Sequence, residues 1–304
     1  MAKRSKGRSK DVNPKVAARR AARKAAQKAF QEGQVSGPLR AFEGLPGEVD
    51  WVALREVVPA ATATARTTEE HGARDITVVT LLPGLLAAMH RSDGQILVAL
   101  QTPSNTPDPS RDVATALLAA LETEPGTTLA HVDLTGEGPR LQDVLDTSVD
   151  FEVTVHDTFD YALDPEDEVT EEVRHALEEL ADSIVPTVKV DDAEGAYWCR
   201  MSGREYLRWS RPEPEEELLD ALARLHARGE SALEEGTRLI GTFRSCGLVI
   251  PVWELVRGSE ADELTGLLPA FEERLAGALA QDGELDAQER RARASLVSRQ
   301  VTLR

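Results

Sequence analysis

Cysteine is scarce in this chain, and long apolar runs are missing altogether. Only two cysteines occur among the 304 residues, Cys199 and Cys246. A disulfide framework is therefore not expected, and a zinc site could not be built from cysteine alone. No apolar run approaches the ~18 residues of a membrane-spanning helix, and the charged N-terminus lacks the apolar core of a secretory signal. We expect a cytoplasmic protein with two buried thiols.

The usual catalytic motifs are also missing. The sequence contains no phosphate-binding loop of the G-x-x-x-x-G-K-[ST] type, no dinucleotide fingerprint, no H-E-x-x-H and no G-x-S-x-G. Its six histidines are widely separated, and none has a histidine or cysteine partner at metal-ligand spacing. We predict no catalytic residue, no metal and no cofactor, and the sequence favours a binding protein over an enzyme.

The net charge of −18 conceals two oppositely charged parts. Residues 1–34, the N-terminal arm, contain 11 basic and 2 acidic residues, a net charge of +9. The remaining 270 residues, the body, contain 24 basic and 51 acidic residues, a net charge of −27. Because a body of this charge repels phosphate backbones, any contact with nucleic acid is expected to run through the arm.

Residues 15–31 of the arm consist almost entirely of good helix formers, between Pro14 and Gly33. The apolar face of this predicted helix is mostly alanine, which buries little area, so charge dominates its binding. This favours RNA or ribosome contact over a membrane surface, while a solubilising tail or an arm docked on the body stays open. The residues predicted to contact nucleic acid are Lys15, Arg19, Arg20, Arg23, Lys24 and Lys28.

Apolar patterning predicts an α+β body. Strands are expected at 76–82 and 95–100, a helix at 111–121, and a further strand at 128–134. We also expect Asp50 to be the N-cap of a helix that runs to about Val58.

The second half repeats this order at an offset of about 110 residues. Strand patterns at 186–190, 205–209 and 250–255 accompany a helical pattern at 215–225. We predict an internal duplication of a strand-strand-helix-strand unit, giving two related subdomains, followed by C-terminal helices. The expected boundaries are a basic arm at 1–38, a first repeat at 39–150, an acidic linker and helix at 151–180, a second repeat at 181–258, and C-terminal helices and a tail at 259–304.

Aromatic and arginine residues are concentrated in the second predicted repeat. Stacking and bidentate hydrogen bonds would suit a planar or anionic ligand there. The alternative is that the rings pack the core and the arginines pair with the surplus carboxylates. The residues predicted to line the pocket are Tyr197, Trp198, Arg208, Trp209, Arg244 and Trp253.

Several short segments carry a family resemblance, among them Phe42-Glu-Gly-Leu-Pro-Gly-Glu48, Ala196-Tyr-Trp-Cys199 and Glu235-Gly-Thr-Arg-Leu239. Over about residues 40–304 the chain resembles an uncharacterised actinobacterial family of unknown function, which implies no activity. Members of that family often begin with a SEC-C zinc module, a docking tag that also acts toward ribosomes. Residues 1–34 contain no cysteine or histidine, so the module is absent here, and the basic arm occupies its place.

The sequence thus predicts a cytoplasmic binding or adaptor protein whose arm contacts RNA or the ribosome. Two alternatives stay open. One is an enzyme or small-ligand binder that uses the predicted pocket, and the other is an interaction scaffold whose acidic body binds a basic protein.

Overall fold

The computed structural model describes residues 38–103, 105–166, 170–182 and 184–298. The arm residues predicted to contact nucleic acid lie outside this described part. From Leu39 onward, the described residues belong to one compact unit.

Seven α-helices and eleven β-strands are formed by the described residues. The helices are α1 (Glu48–Glu56), α2 (Pro109–Leu121), α3 (Leu141–Val144), α4 (Glu171–Ala181), α5 (Glu215–Arg228), α6 (Leu267–Leu279) and α7 (Ala287–Ser298). The strands are β1 (Ala61–Arg66), β2 (Asp75–Val79), β3 (Ala88–His90), β4 (Ile96–Ala99), β5 (Thr127–Leu129), β6 (Val153–Val155), β7 (Thr187–Lys189), β8 (Ala196–Met201), β9 (Arg204–Trp209), β10 (Arg238–Ser245) and β11 (Leu248–Glu254).

The first sheet has the strand order β5-β3-β4-β2-β1-β6. Strands β2 and β4 are parallel, with Thr77 opposite Leu97, and the other neighbours are antiparallel. Side chains alternate across a strand, so β1 turns small alanines inward. These alanines share a buried cluster with Trp51 of α1, whose ring stacks on Phe151 at 4.2 Å. The same cluster includes Val113 and Leu117 of α2, so the inward face of this sheet is covered by α1 and α2.

The second sheet has the order β10-β11-β9-β8-β7, and all its neighbours are antiparallel. One face packs against α5, α6 and α7. On the other face Tyr197 and Ile250 belong to the same buried cluster as Val52 of α1 and Val78 of the first sheet. Helix α1 therefore contributes to a core shared by both sheets.

The predicted α+β class is confirmed, whereas the internal duplication is not. The order strand-strand-strand-helix-strand does occur twice, as β2-β3-β4-α2-β5 and β7-β8-β9-α5-β10. The pairing differs, however, because β2 is an interior strand parallel to β4, while β7 is an edge strand antiparallel to β8. The predicted domain boundaries stay predictions.

Helix α1 begins earlier than the sequence suggested. Its N-cap is Gly47, which has a left-handed backbone (φ 64°), so Asp50 lies within the first turn instead of capping it. The helix ends at Glu56, before Pro59. The side chain of Asp50 is thereby free to contact the second sheet.

The turn before β8 depends on a glycine. Gly195 has φ +70°, and a Cβ there would lie 2.8 Å from Val49 Cβ and 2.9 Å from the carbonyl oxygen of Ser210. We expect Gly195→Ala to lower the free energy of unfolding by about 2–5 kcal/mol, from left-handed strain together with overpacking. The matched control is Gly94→Ala, which has φ +84° but open space around it. It should cost only the strain, about 1–2 kcal/mol. Equal losses in urea denaturation would contradict the close contact at Gly195.

Candidate functional site

The three tryptophans of the predicted pocket are core residues. Trp198, Trp209 and Trp253 face the helices that cover the second sheet, and none is more than 3% exposed. The rings of Trp209 and Trp253 lie 6.2 Å apart, with Phe271 at 5.2 Å from Trp253. Each indole N–H donates to a backbone carbonyl, those of Ser259, Glu194 and Ser231 respectively. Their hydrogen-bonding capacity is therefore used within the protein.

The other three predicted pocket residues lie elsewhere. Tyr197 and Arg208 are partners in the β8–β9 register and face helix α1. Arg244 is half-exposed near the end of β10 and pairs with Glu215 of α5. Because neighbouring residues on a strand point to opposite faces, Tyr197 and Trp198 cannot line one cavity. The arrangement gives no support to the predicted single pocket.

A buried polar cluster lies on the face of the second sheet that meets α1. The carboxylate of Asp50, only 3% exposed, accepts hydrogen bonds from Lys189 Nζ at 2.8 Å, the Tyr197 hydroxyl at 2.8 Å and the Gly195 amide at 3.2 Å. Burial, followed by the charge of Asp50 and its hydrogen bond, raises the pKa of Tyr197 well above its ordinary value. These contacts connect α1 to the second sheet.

The sequence contained a signal for this cluster. Six of the seven lysines lie within residues 1–28, and the seventh is Lys189. All other basic residues of the body, histidine aside, are arginines, and this one lysine pairs with the buried carboxylate of Asp50. The expected role of Asp50 as a helix cap is wrong, because Gly47 is the N-cap, and the Asp50–Lys189 pair was not predicted.

Arg208 is buried without a carboxylate partner among the described residues. It is 6% exposed, and its Nε and Nη2 atoms form no hydrogen bond there. Burial lowers the pKa of Arg208, and burial also raises the pKa of its neighbour Cys199. Unsatisfied N–H groups in such a position cost free energy of folding.

Replacement of this guanidinium by an apolar side chain should therefore stabilise the fold. We expect Arg208→Met to raise the free energy of unfolding by about 1–3 kcal/mol, the cost of the unsatisfied donors. The control Arg66→Met alters a more exposed arginine on the first sheet, which pairs with Asp75. It should change stability by less than about 1 kcal/mol. A clear loss of stability in Arg208→Met would contradict this, because it would show that the hydrogen bond between the guanidinium and Cys199 outweighs the cost of the unsatisfied donors.

One buried tyrosine, Tyr197, and one partly buried tyrosine, Tyr161, make stability sensitive to alkali. Burial raises the pKa of Tyr161 from 10.0 to about 12, and its hydroxyl donates to the Leu81 carbonyl oxygen at 2.8 Å. The folded state thus keeps a proton that the unfolded chain loses above pH ~10. Stability is retained below that pH and falls by about 1.4 kcal/mol per pH unit per group up to about pH 12. Tyr161→Phe should flatten this fall in urea titrations between pH 9 and 12, and an unchanged slope would contradict the assignment.

An open cleft of about 680 Å³ lies beside the second sheet. It is bounded by the β8–β9 turn, the start of β10 and residues 254–257, and we call it the arginine cleft. Arg204 and Arg238 each bond one oxygen of Glu254. Hydrogen bonding from Arg238, then from Arg204, lowers the pKa of Glu254. Arg257 also lines the cleft, and its guanidinium has no hydrogen-bond or ion-pair partner among the described residues.

Within the described residues, no group of three or more His, Cys, Asp or Glu side chains is arranged to hold a metal ion. None of the described helices is long and apolar enough to cross a membrane.

The fold and these clusters define a two-sheet α+β protein with a shared core, a buried Asp-Lys-Tyr cluster and an arginine-lined cleft. The chain belongs to the family of unknown function DUF5926, whose model matches residues 41–304. No curated protein and no solved structure matches the chain.

Proposed function

We propose that this chain is a binding protein that contacts RNA through its basic N-terminal arm, with ribosomal RNA as one such target. The observation that carries the proposal is the separation of charge, +9 in residues 1–34 against −27 in the body. Clustered Lys and Arg side chains bind the phosphates of a nucleic acid, and the affinity falls as the salt concentration rises.

The cations of the body are largely occupied by carboxylates, which supports this division of labour. Lys189 pairs with Asp50. The arginines in ion pairs are Arg40, Arg55, Arg66, Arg91, Arg140, Arg174, Arg200, Arg204, Arg211, Arg228, Arg238, Arg244 and Arg293. A paired arginine attracts a polyanion less strongly, because the charge of its carboxylate offsets that of the guanidinium.

The family resemblance supports the same role. The arm stands where similar chains are expected to carry a SEC-C docking module. A cationic arm at that position would perform the docking by charge instead of through a zinc-bound fold. The link to SEC-C proteins is an analogy of position only.

Deletion of the arm tests the proposal. Binding of a fluorescent single-stranded RNA should be lost when the full chain is replaced by residues 35–304, because the body repels phosphate. Retention of RNA binding by residues 35–304 would overturn it. A pulldown with and without nuclease distinguishes the scaffold alternative, in which the acidic body captures a basic protein whether or not RNA is present.

A further inference from the structure

We propose that the arginine cleft binds the phosphate group of a small organic phosphate monoester. Its walls bring three guanidinium groups to one open cavity, those of Arg204, Arg238 and Arg257. All its lining residues belong to the body, and the proposal does not depend on the function proposed for the arm.

The net charge of the cleft is positive. Arg204 and Arg238 share the single charge of Glu254 and leave a net +1, to which Arg257 adds another. Glu205, also in the wall, accepts from Arg200 at 2.8 Å and from the Gly258 amide at 3.0 Å, and Arg200 also pairs with Glu260, so these three groups contribute −1. The cleft and these neighbours therefore carry a net +1, which attracts a phosphate monoester with its charge of about −1.5 to −2 at pH 7.

The two paired arginines are held in position before a ligand arrives. Each oxygen of Glu254 takes one guanidinium, so Arg204 and Arg238 are fixed side by side. A guanidinium has five N–H donors, and each of these two uses one nitrogen on Glu254. The unused donors form a fork suited to phosphate oxygens, and less side-chain entropy is lost on binding than with free arginines.

The size and wall of the cleft indicate an organic portion beyond the phosphate. A volume of about 680 Å³ falls within the range of small-molecule sites, roughly 300–1,000 Å³. Val256 is 41% exposed in this wall and gives an apolar contact. A Cβ on Gly236 would lie 2.9 Å from Val256 Cγ2, so glycine there lets the two wall segments approach.

Thermal unfolding with adenosine 5′-monophosphate as the probe tests the site on the full chain. The probe should raise the Tm, whereas adenosine, which lacks the phosphate, should not. Arg257→Gln loses no ion pair with any described residue, so the variant should fold. It should weaken affinity for the probe by about tenfold, the loss of one charge-assisted hydrogen bond. The control Arg66→Gln, on the other sheet, should leave affinity unchanged.

Two further variants separate the cleft from the arm and from the fold. Arg204→Gln should also weaken binding of adenosine 5′-monophosphate at least tenfold, and a chain with its arm neutralised should bind the probe as the wild type does. Equal binding of adenosine, or full affinity in both Arg257→Gln and Arg204→Gln, would overturn the proposal. Loss of binding on arm neutralisation alone would also overturn it, as would a phosphoserine peptide that binds far more tightly than the nucleotide.

Discussion

Replacement of six basic arm residues by glutamine is expected to weaken binding to single-stranded RNA about three thousandfold at 0.15 M salt. The six positions are Lys15, Arg19, Arg20, Arg23, Lys24 and Lys28. Each neutralised phosphate contributes a slope of about −0.7 in log affinity against log salt concentration. Six lost contacts therefore remove about 3.5 logarithmic units of affinity at that salt concentration. Fluorescence anisotropy with a labelled RNA measures the change directly.

The matched control neutralises six body arginines, so that both variants lose the same charge. Suitable positions are exposed or only partly buried on the body, namely Arg66, Arg174, Arg228, Arg244, Arg290 and Arg291. This variant should bind RNA within about threefold of the wild type, because screening reduces the effect of charges far from the contact. Equal losses in the two variants would show that only total charge matters and would contradict an arm-specific contact.

Asp50→Ala is expected to lower the free energy of unfolding by about 3–5 kcal/mol, the range for one partner removed from a buried ion pair. The substitution leaves Lys189 without its carboxylate and the Tyr197 hydroxyl without its acceptor. It also removes the polar contacts between α1 and the second sheet. The control is Asp75→Ala, an exposed carboxylate 2.8 Å from Arg66, which should cost less than about 1 kcal/mol.

A double substitution distinguishes a broken pair from a simple cavity. The double variant Asp50→Ala/Lys189→Met should lose less free energy of unfolding than the sum of the losses in the two single variants. The reason is that no unpaired ammonium group remains in the double variant. Urea denaturation of the four proteins completes the cycle. Strict additivity of the two losses would contradict a direct Asp50–Lys189 interaction.

Local patterns predicted several of the elements. The strand expected at 76–82 is β2 at Asp75–Val79, and the helix expected at 215–225 is α5 at Glu215–Arg228, but the strand expected at 128–134 ends at Leu129 and β1 was not predicted. These assignments succeed because propensity and periodicity act over a few residues. Repeated element order suggested a duplication for the same reason, since order is a local property.

Pairing and side-chain environment depend on distant contacts and were not predicted. Asp50 and Lys189 are 139 residues apart in the sequence. Strand β2 pairs directly with β4, although β3 lies between them in the sequence. Aromatic and arginine residues are neighbours in the sequence of the second predicted repeat, but strand alternation turns the tryptophans into the core and leaves Arg204 and Arg238 at the rim. Their proximity in the sequence therefore suggested a single site, whereas in the fold the tryptophans belong to the core and these arginines line a separate cleft.

The salt dependence of RNA binding tests the central claim most directly. With about nine phosphates neutralised, the full chain should give a slope of about −6 in log affinity against log salt concentration. The chain with six neutralised arm positions should give about −2. A slope near zero for the full chain, or the same steep slope for both, would contradict the assignment of RNA contact to the arm.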